Sequence, residues 1–412
     1  SYQTITIWDR SGSMLKDEKG YYWNGYFYKE NGQSLLLYLE KYSDELRRCF
    51  FQIRADFLLR LSQTISSYSN KSQVEKKLIL MSLLVESSTF KSPCLIDVFR
   101  LLTLDHILKT ESIRDIRYVG PQASVSEAIK KLCQRKNLGF YWEKTTNQHP
   151  IGDSLLKTMF SQLPKALSSL IWLLKYVFQH WSLKKSSTPK WFEGPNAVFL
   201  FSSFAHLDKN SCELGKFYSK QWEVLPEFLR TIGKSINWAH LFMFSKAVPD
   251  IRTGINWLKS FNQSTREKQT HVFLDKFLDL RLILKSLRDW TRIQFIYIQR
   301  GRETEHSLES HQFGWLWPVL KKDWRDSMKG ITAMKNILWI HLFDKLLGGI
   351  PHQEQGLYIC ENQGWERAFL HAWRKHRHGK IIGIAHSTIR YWDLRYYDAS
   401  MTTKIFDLPR PD

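Results

Sequence analysis

The sequence predicts an α/β protein made of two Rossmann-like domains. Short β-rich runs alternate with longer segments of helical periodicity, which is the pattern of a parallel sheet covered by helices. A strand at 114–120, a helix, and a strand at 138–143 follow one another, as in a right-handed βαβ unit. Hydrophobic residues make up 43% of the 412 residues, so the chain can bury the cores of two or three domains.

The first half of the chain supplies the N-terminal strand and this βαβ unit. "TITIWD" (4–9) is the first predicted strand. From 33 to 66, apolar residues recur at intervals of three and four, which predicts a helical region. The helix of the βαβ unit is expected to begin with a capping box formed by Ser124 and Glu127.

The second half repeats the alternation of strands and helices. Strands are predicted at 196–204, 236–244, 357–360 and 380–386. Helices are predicted at 163–185, 217–233, 250–298, 328–349 and 364–377.

The polar, charged stretch "QRGRETEHSLESHQ" (299–312) predicts a domain boundary, because it lacks long apolar runs. Residues 1–312 would then be an N-terminal Rossmann-like domain with large helical insertions, and 313–412 the start of a second one. Only two strands are predicted after the boundary, whereas a doubly wound sheet normally needs about five or six. The C-terminal domain is therefore expected to be incomplete.

The formal net charge of +20 implies attraction to an anionic partner such as nucleic acid, nucleotide phosphates or an acidic lipid surface. A basic surface that is only solvated is the alternative. The sequence has no zinc-finger spacing, basic zipper or RNP-like aromatic pattern, so the nucleic-acid interpretation lacks a module to carry it.

Cysteine usage and hydropathy bear on location. Five scattered cysteines suggest neither a disulfide framework nor a zinc site, so a reducing cytoplasm fits best. The most apolar stretch, 163–185, is interrupted by Lys175 and falls short of a bilayer span. A buried or interfacial helix is predicted there, and Trp172, Trp181 and the trailing lysines also suit a membrane surface.

Several chemistries are excluded by their missing motifs. The sequence has no Gly-x-Gly-x-x-Gly, no P-loop and no Gly-x-Ser-x-Gly elbow. It also has no Asp-x-Asp, so a sugar transferase would be metal-independent. His371, His376 and His378 are spaced by five and two residues, which does not favour a metal site on a helix, and a solvated basic helix face is expected instead.

Two polar residues follow neighbouring predicted strands near the C-terminal end. Glu361 comes directly after the strand at 357–360, and His386 ends the strand at 380–386. In open parallel sheets, ligands bind beyond the carboxyl ends of the strands, so these two side chains are expected side by side at that edge as catalytic candidates, with Glu361 placed to bind hydroxyls or take a proton. Glu366, in the first turn of the next helix, is predicted either to contact a ligand or to act only as a helix-start charge.

The segment that begins at His386 has the composition of a phosphate cradle. Its hydroxyl and guanidinium groups belong to Ser387, Thr388, Arg390 and Arg395. The alternative is an ordinary polar loop whose arginines pair with Asp393 and Asp398. The interleaved tyrosines and tryptophan of 391–397 would either stack on a base or sugar, or pack against the protein.

Several stretches resemble the bacterial surface-carbohydrate (O-antigen) biosynthesis proteins. They are "YICENQGWERAFLHAW", "GIAHSTIRYWDLRYYD" and "LPRPD", with "GKFYSKQWEVLPEFL" and "INWAHLF" upstream. Such proteins look like glycosyltransferases of the two-Rossmann (GT-B) type, with a distant likeness to bacterial sialyl- and Kdo-transferases that use a CMP-linked donor. In that family the chain continues past the Arg-Pro-Asp, which agrees with the truncation expected from the strand count.

The resemblance implies a metal-independent transferase, without a cofactor, that passes a sugar from a nucleotide-sugar to a lipid-linked or polysaccharide acceptor such as lipopolysaccharide. It would be cytoplasmic and peripheral on the inner membrane, with the donor on the 313–412 domain. Glu361 and Glu366 would serve the ribose or the acceptor, and His386 with Ser387 would hold the donor phosphate. Asp9, in the loop "DRSGS" after the first strand, would face the interdomain cleft and is a candidate general base.

Two interpretations from other classes remain open. One is a non-catalytic scaffold or binding subunit of a polysaccharide assembly complex that kept the fold. The other is a basic nucleic-acid-binding protein.

Overall fold

The structure is a computed structural model that describes most of the chain. The described residues are 3–14, 18–25, 28–29, 32–66, 73–146, 163–187, 189–263, 268–385, 387–397 and 408–412. They form an α/β protein with two separate sheets, one of them entirely parallel and the other parallel except at one edge. The predicted α/β class is therefore confirmed.

The first sheet is built from strands of the first half of the chain. Within the described residues these are β1 (Gln3–Trp8), β2 (Gly20–Tyr22), β3 (Tyr28–Lys29), β4 (Gly32–Ser34), β5 (Ile113–Gly120) and β6 (Gly139–Lys144). They lie in the order β3-β4-β2-β1-β5-β6, and only β3 and β4 pair antiparallel. The chain leaves β1 towards β2 on one side and returns to β5 on the other.

The helices of the first half are shorter than the periodicity predicts. They are α1 (Leu35–Lys41), α2 (Ser43–Ser66), α3 (Gln73–Leu80), α4 (Leu83–Glu86), α5 (Cys94–Thr110) and α6 (Ala123–Lys136). The single helical region predicted at 33–66 is two helices that break at Tyr42, and Ser34 caps the first by accepting a hydrogen bond from Leu36 N. The predicted capping box is wrong, because α6 begins at Ala123 after an N-cap at Gln122 and Ser124 already lies inside the helix.

The second sheet is fully parallel and covered on both faces. Its described strands are β7 (Ala197–Ser203), β8 (Ser235–Leu241), β9 (Gln269–Phe273), β10 (Gln355–Ile359) and β11 (Lys380–Ile384), in the order β11-β10-β7-β8-β9. The central strand β7, AVFLFSS, is buried along almost its whole length, as expected for a strand with helices on both sides.

The second half of the chain contributes eight described helices. They are α7 (Lys165–His180), α8 (Lys209–Glu213), α9 (Leu225–Thr231), α10 (Ile251–Gln263), α11 (Leu280–Glu309), α12 (Trp317–Lys329), α13 (Ile331–Gly348) and α14 (Gly364–Lys375). Short 3-10 turns occur at Trp181–Lys185, Phe204–His206, Leu274–Phe277, Gly314–Leu316 and Leu394–Tyr396. Among the described residues, no helix has the length and apolar character needed to cross a bilayer.

The domain boundary predicted at residue 312 does not match the sheets. β10 pairs with β7, so strands from both sides of that boundary share one sheet. The charged stretch at 299–312 is mostly the end of α11 rather than a linker, and one of its faces is buried at Gly301, Thr304, Glu305 and Leu308. The C-terminal domain was expected to be incomplete because only two strands were counted in its sheet. That reason no longer holds, because the second sheet contains five described strands.

Helix α12 ties the two halves together. Its side chains Trp317 and Trp324 belong to the core of the first sheet, whereas Trp339 and Phe343 of the next helix, α13, belong to the core of the second. Only Gly330 separates the two helices. A Cβ atom built on Gly330 would lie 1.9 Å from Asp326 Oδ1 and 2.9 Å from Asp326 Cα, so the turn requires glycine.

We expect Gly330→Ala to lower the free energy of unfolding by about 1–3 kcal/mol, because the new methyl group must displace backbone at the junction of both cores. Urea unfolding followed by tryptophan fluorescence measures the change. Gly349→Ala, at the end of α13, is the matched control, since the nearest atom to its Cβ would be 3.2 Å away. Equal losses in the two variants would contradict this account.

Candidate functional site

The carboxyl edge of the first sheet holds a cleft at its topological switch point. β2 and β5 lie on opposite sides of β1, and ligands of open parallel sheets bind where the chain reverses in this way. The cleft has a volume of about 730 Å3. The loops after β1, β2 and β5 line it, with Asp9, Arg10, Tyr22, Asn24, Pro121 and Gln122.

Asp9 is the buried acid of this cleft and follows directly after β1. Its side chain is 5% exposed and accepts hydrogen bonds from Tyr118 Oη and Asn24 Nδ2, each at 2.7 Å. Its backbone N donates to Val119 O at 2.7 Å, which fixes the residue against β5. Burial raises the pKa of Asp9 to about 6, although the hydrogen bonds from Tyr118 and Asn24 oppose the rise. A carboxyl group with a pKa near neutrality suits general-base catalysis.

A second polar group supports the site from behind. Asp97, in the first turn of α5, accepts from Trp23 Nε1 at 3.0 Å and from Arg100 Nη1 at 2.8 Å. Burial raises the pKa of Asp97, and Arg100 opposes this. The negative charge of Asp97 contributes to the raised pKa of Asp9.

Gly120 ends β5 beside Asp9 and leaves room for its hydrogen bonds. A Cβ atom on Gly120 would lie 2.5 Å from Tyr118 Oη and 2.8 Å from Asp9 Cβ. The sequence analysis did not identify Tyr118, Asn24 or Gly120 as part of a site. The available signal was Tyr118 itself, a hydroxyl-bearing residue two positions before the carboxyl end of a predicted strand.

The carboxyl edge of the second sheet is organised by Glu366. This side chain is 1% exposed and accepts hydrogen bonds from the backbone N atoms of Glu361, Asn362 and Gln363, at 3.0, 3.0 and 2.9 Å. Burial raises its pKa to about 7, against the effect of these three donors. Glu366 therefore holds the loop between β10 and α14, and its burial favours the helix-start alternative over contact with a ligand.

Glu361 lies at the end of β10, as predicted, and is partly exposed. It accepts a hydrogen bond from Gln363 Nε2, and its Oε2 lies 4.0 Å from Arg395 Nη1. Arg395 makes two hydrogen bonds with Asp393, at 2.8 and 2.9 Å. The alternative to a phosphate cradle was an ordinary polar loop whose arginines pair with aspartates. The pair of Arg395 with Asp393 agrees with that alternative.

The predicted phosphate cradle is only partly described. His386 lies outside the described residues, while Ser387, Thr388 and Arg390 are exposed after β11. A cleft of about 580 Å3 adjoins this edge, lined by Ile384 and Ala385 together with His206, Lys220, Trp222 and Phe228.

Three of the four aromatic residues of 391–397 dock on the first half of the chain, and the fourth, Tyr396, donates to Cys360 O at 2.8 Å. Tyr391 Oη donates to Asp44 at 2.6 Å, and Trp392 Nε1 donates to Glu40 at 3.0 Å. The guanidinium group of Arg47 lies 4.0 Å from the ring centre of Tyr391 and 4.4 Å from that of Tyr397. These aromatics are therefore engaged in packing, which was the alternative to stacking on a base.

The two carboxyl edges are joined by the segment that runs from Glu86, the last residue of α4, to the start of α5. Glu86 Oε2 accepts from Gly364 N at 3.1 Å, and Lys91 contacts Glu86 at 2.6 Å and Gln363 at 3.0 Å. The same segment leads into α5, whose first turn carries Asp97 beside the Asp9 cleft. One short connection thus links the β10–α14 loop to the first cleft.

The histidine cluster is not the solvated face that was expected. His376 Nε2 contacts Asp344 at 2.9 Å, and His378 Nε2 contacts Leu347 O at 3.0 Å. Burial lowers the pKa of His378 and lowers that of His371 to about 4. Within the described residues, no group of three or more His, Cys, Asp or Glu side chains is placed to hold a metal ion.

Comparisons with family models, with curated proteins and with solved structures return no match for this chain. The resemblance to surface-carbohydrate biosynthesis proteins accordingly stays a prediction.

The raised pKa of Asp9 predicts a specific pH dependence of stability. In the unfolded chain this carboxyl group ionises near its ordinary pKa of 3.8, whereas in the folded protein it ionises near 6, so its contribution to stability is lost as pH rises through that window. We expect the free energy of unfolding of Asp9→Asn, relative to that of the native chain, to increase by about 2 kcal/mol from pH 4 to pH 7.

Urea unfolding at several pH values measures this difference. The matched control is Asp250→Asn, since backbone hydrogen bonding to Thr253 lowers the pKa of Asp250 and the trend for that variant should have the opposite sign. A difference for Asp9→Asn that stays constant between pH 4 and pH 7 would contradict the raised pKa.

Proposed function

We propose that this protein is a glycosyltransferase with two Rossmann-like (GT-B) units, and that Asp9 is its general base. The observation that carries the proposal is the buried Asp9 carboxyl group, whose pKa is about 6, at the switch point of the first sheet and facing an open cleft. The substrates would be a nucleotide-sugar donor and a lipid-linked or polysaccharide acceptor.

In the proposed reaction, the acceptor hydroxyl attacks the anomeric carbon of the donor. The new bond joins the acceptor oxygen to that carbon, the bond from the carbon to the phosphate oxygen breaks, and the nucleotide leaves with the bonding electron pair. The hydroxyl proton passes to a carboxylate oxygen of Asp9. Tyr118 and Asn24 orient the carboxylate, and each of its oxygens retains a lone pair for the acceptor.

We infer that the donor lies at the carboxyl edge of the second sheet. The chain reverses between β7 and β10, and their carboxyl ends flank the loop that carries Glu361. The exposed Arg390 would meet the charge of the leaving phosphate, together with Ser387, Thr388 and the predicted ligand His386. The proposal requires neither a metal nor a further cofactor, in keeping with the missing Asp-x-Asp motif.

Nucleotide binding is tested first and sugar transfer second. Thermal-shift measurements with CMP, UDP, GDP and TDP identify the nucleotide, and the matching nucleotide-sugars then serve as donors. We expect Asp9→Asn to lower kcat about 10²–10⁴-fold, because proton transfer is lost, with nucleotide binding unchanged. Glu361→Gln should instead weaken nucleotide binding.

Two results would overturn the proposal. Full turnover by Asp9→Asn would remove the assigned base. Absence of binding by all four nucleotides would favour the scaffold interpretation, and salt-sensitive binding to generic DNA or RNA in its place would favour the nucleic-acid interpretation.

An apolar stripe on α7 supports contact with a membrane. One side of the helix packs on the second core through Leu173, while four large residues on the other side, and Trp181 just after the helix ends, are 38–86% exposed. They follow a spacing of four and three and are Leu167, Ile171, Leu174, Phe178 and Trp181. Lys184 lies 4.2 Å from the ring centre of Trp181. We propose that this stripe lies on the anionic cytoplasmic face of a membrane, where a lipid-linked acceptor would be presented.

We expect Phe178→Glu to weaken binding to anionic vesicles about tenfold or more, since burying a phenyl ring contributes about 1.5–3 kcal/mol. Co-sedimentation with phosphatidylglycerol vesicles measures the affinity. Leu214→Glu, at an exposed leucine outside α7, is the matched control and should bind as the native chain does. Equal binding by all three proteins would contradict the assignment.

A further inference from the structure

A pocket of about 270 Å3 lies among the helices of the second half, away from the loop-lined clefts at the carboxyl edges. It is bounded by α3, α11, α13 and α14. Its lysine and arginine side chains come from three of these helices and are Lys77, Lys285, Arg288, Arg292 and Lys375, while His341 and His371 also line it.

The two carboxylates that line the pocket already have basic partners. Asp344 contacts Lys375 Nζ at 2.6 Å and His376 Nε2 at 2.9 Å. Asp289 contacts His341 Nε2 at 2.9 Å and Arg288 Nη2 at 3.3 Å. These acids therefore neutralise only part of the positive charge around the pocket.

Arg292 Nε lies 3.7 Å from Glu75 Oε1, a carboxylate outside the pocket lining, so the surplus charge is carried by two lysines. Across the part of the chain that the structure describes, neither Lys77 nor Lys285 forms an ion pair with a carboxylate. Burial lowers the pKa of Lys77, and the positive charges of Lys375 and Lys285 lower it further, against the effect of Asp344. Positive charges concentrated without compensation destabilise the protein on their own and attract an anion.

We propose that this pocket binds a phosphate-bearing anion through Lys77, Lys285, Arg288 and Arg292. Arginine presents paired donors that match phosphate oxygens, and lysine supplies a compact charge. The volume is below the roughly 300–1,000 Å3 that encloses a whole drug-sized ligand, so it fits a phosphate or diphosphate group rather than a complete nucleotide. The site does not depend on the proposed transferase activity.

A soluble phosphate compound and a lipid headgroup share this chemistry. Leu284 and Phe295 of α11 are 56% and 59% exposed and flank its basic residues in sequence. A phosphate attached to an apolar chain would find both kinds of contact on this helix.

The test uses inorganic diphosphate as the probe, with calorimetry at low ionic strength. We expect the native chain to bind it and Lys285→Met to bind about tenfold more weakly, because one charge-assisted contact is lost. Arg281→Met removes a basic residue of the same helix outside the pocket, and it should bind as the native chain does.

The melting temperature of Lys77→Met is a second measurement, and its expected change is an increase. The substitution removes a partly buried charge that faces like charges, so the free variant should melt at a higher temperature than the native chain. Diphosphate should then no longer raise its melting temperature. A lysine with a structural role alone would instead lower the melting temperature when replaced.

Vesicles of phosphatidylcholine, with and without phosphatidylglycerol, distinguish the two sources. If Lys285→Met selectively loses binding to the anionic vesicles, the ligand is a lipid headgroup. If only diphosphate binding falls, the ligand is a soluble phosphate compound. Absence of diphosphate binding by the native chain, or undiminished binding by both lysine variants, overturns the proposal whatever the outcome of the nucleotide tests.

Discussion

The rest of the structure depends on two consecutive helices that belong to different cores. α12 buries Trp317 and Trp324 with the first sheet, and after the single residue Gly330, α13 buries Trp339 and Phe343 with the second. Because each helix is buried in its own core, the single residue Gly330 joins the two cores directly and limits how far the two sheets can move apart. This short connection bounds the relative placement of the two carboxyl edges.

The candidate site uses the two sheets in different ways. At the first edge a buried acid, Asp9, is held by Tyr118 and Asn24 and opens into a cleft. At the second edge the buried acid, Glu366, turns inward and shapes the loop that presents Glu361. Two carboxyl groups with similarly raised pKa values thus have different roles, because one faces a cleft and the other faces backbone donors. The contacts of Glu86 and Lys91 with the β10–α14 loop keep the two edges connected.

Local patterns predicted much of the secondary structure but not the assembly. The apolar runs at β1, β7, β8 and β10 were identifiable because buried parallel strands are short, apolar and bounded by polar residues. The division at residue 312 was wrong because pairing between β7 and β10 joins residues far apart in the chain, and no local composition reports it. Asp9 could be predicted as a strand-end acid, whereas Tyr118, Asn24 and the cationic pocket could not, since they are defined only by contacts between distant segments. For Glu366 the sequence left two roles open, and only its burial distinguishes them.

The insertion of α12 into the first core also sets an order of events during synthesis. All strands described for the first sheet have been synthesised once residue 144 is made, yet two tryptophans of its core belong to a helix that ends at Lys329. The first core is therefore incomplete while β7, β8 and β9 emerge. The apolar surface of the first core stays exposed until α12 has been translated. Over that interval the partly assembled core is prone to aggregation. This late closure is a cost of joining the two sheets through one pair of helices.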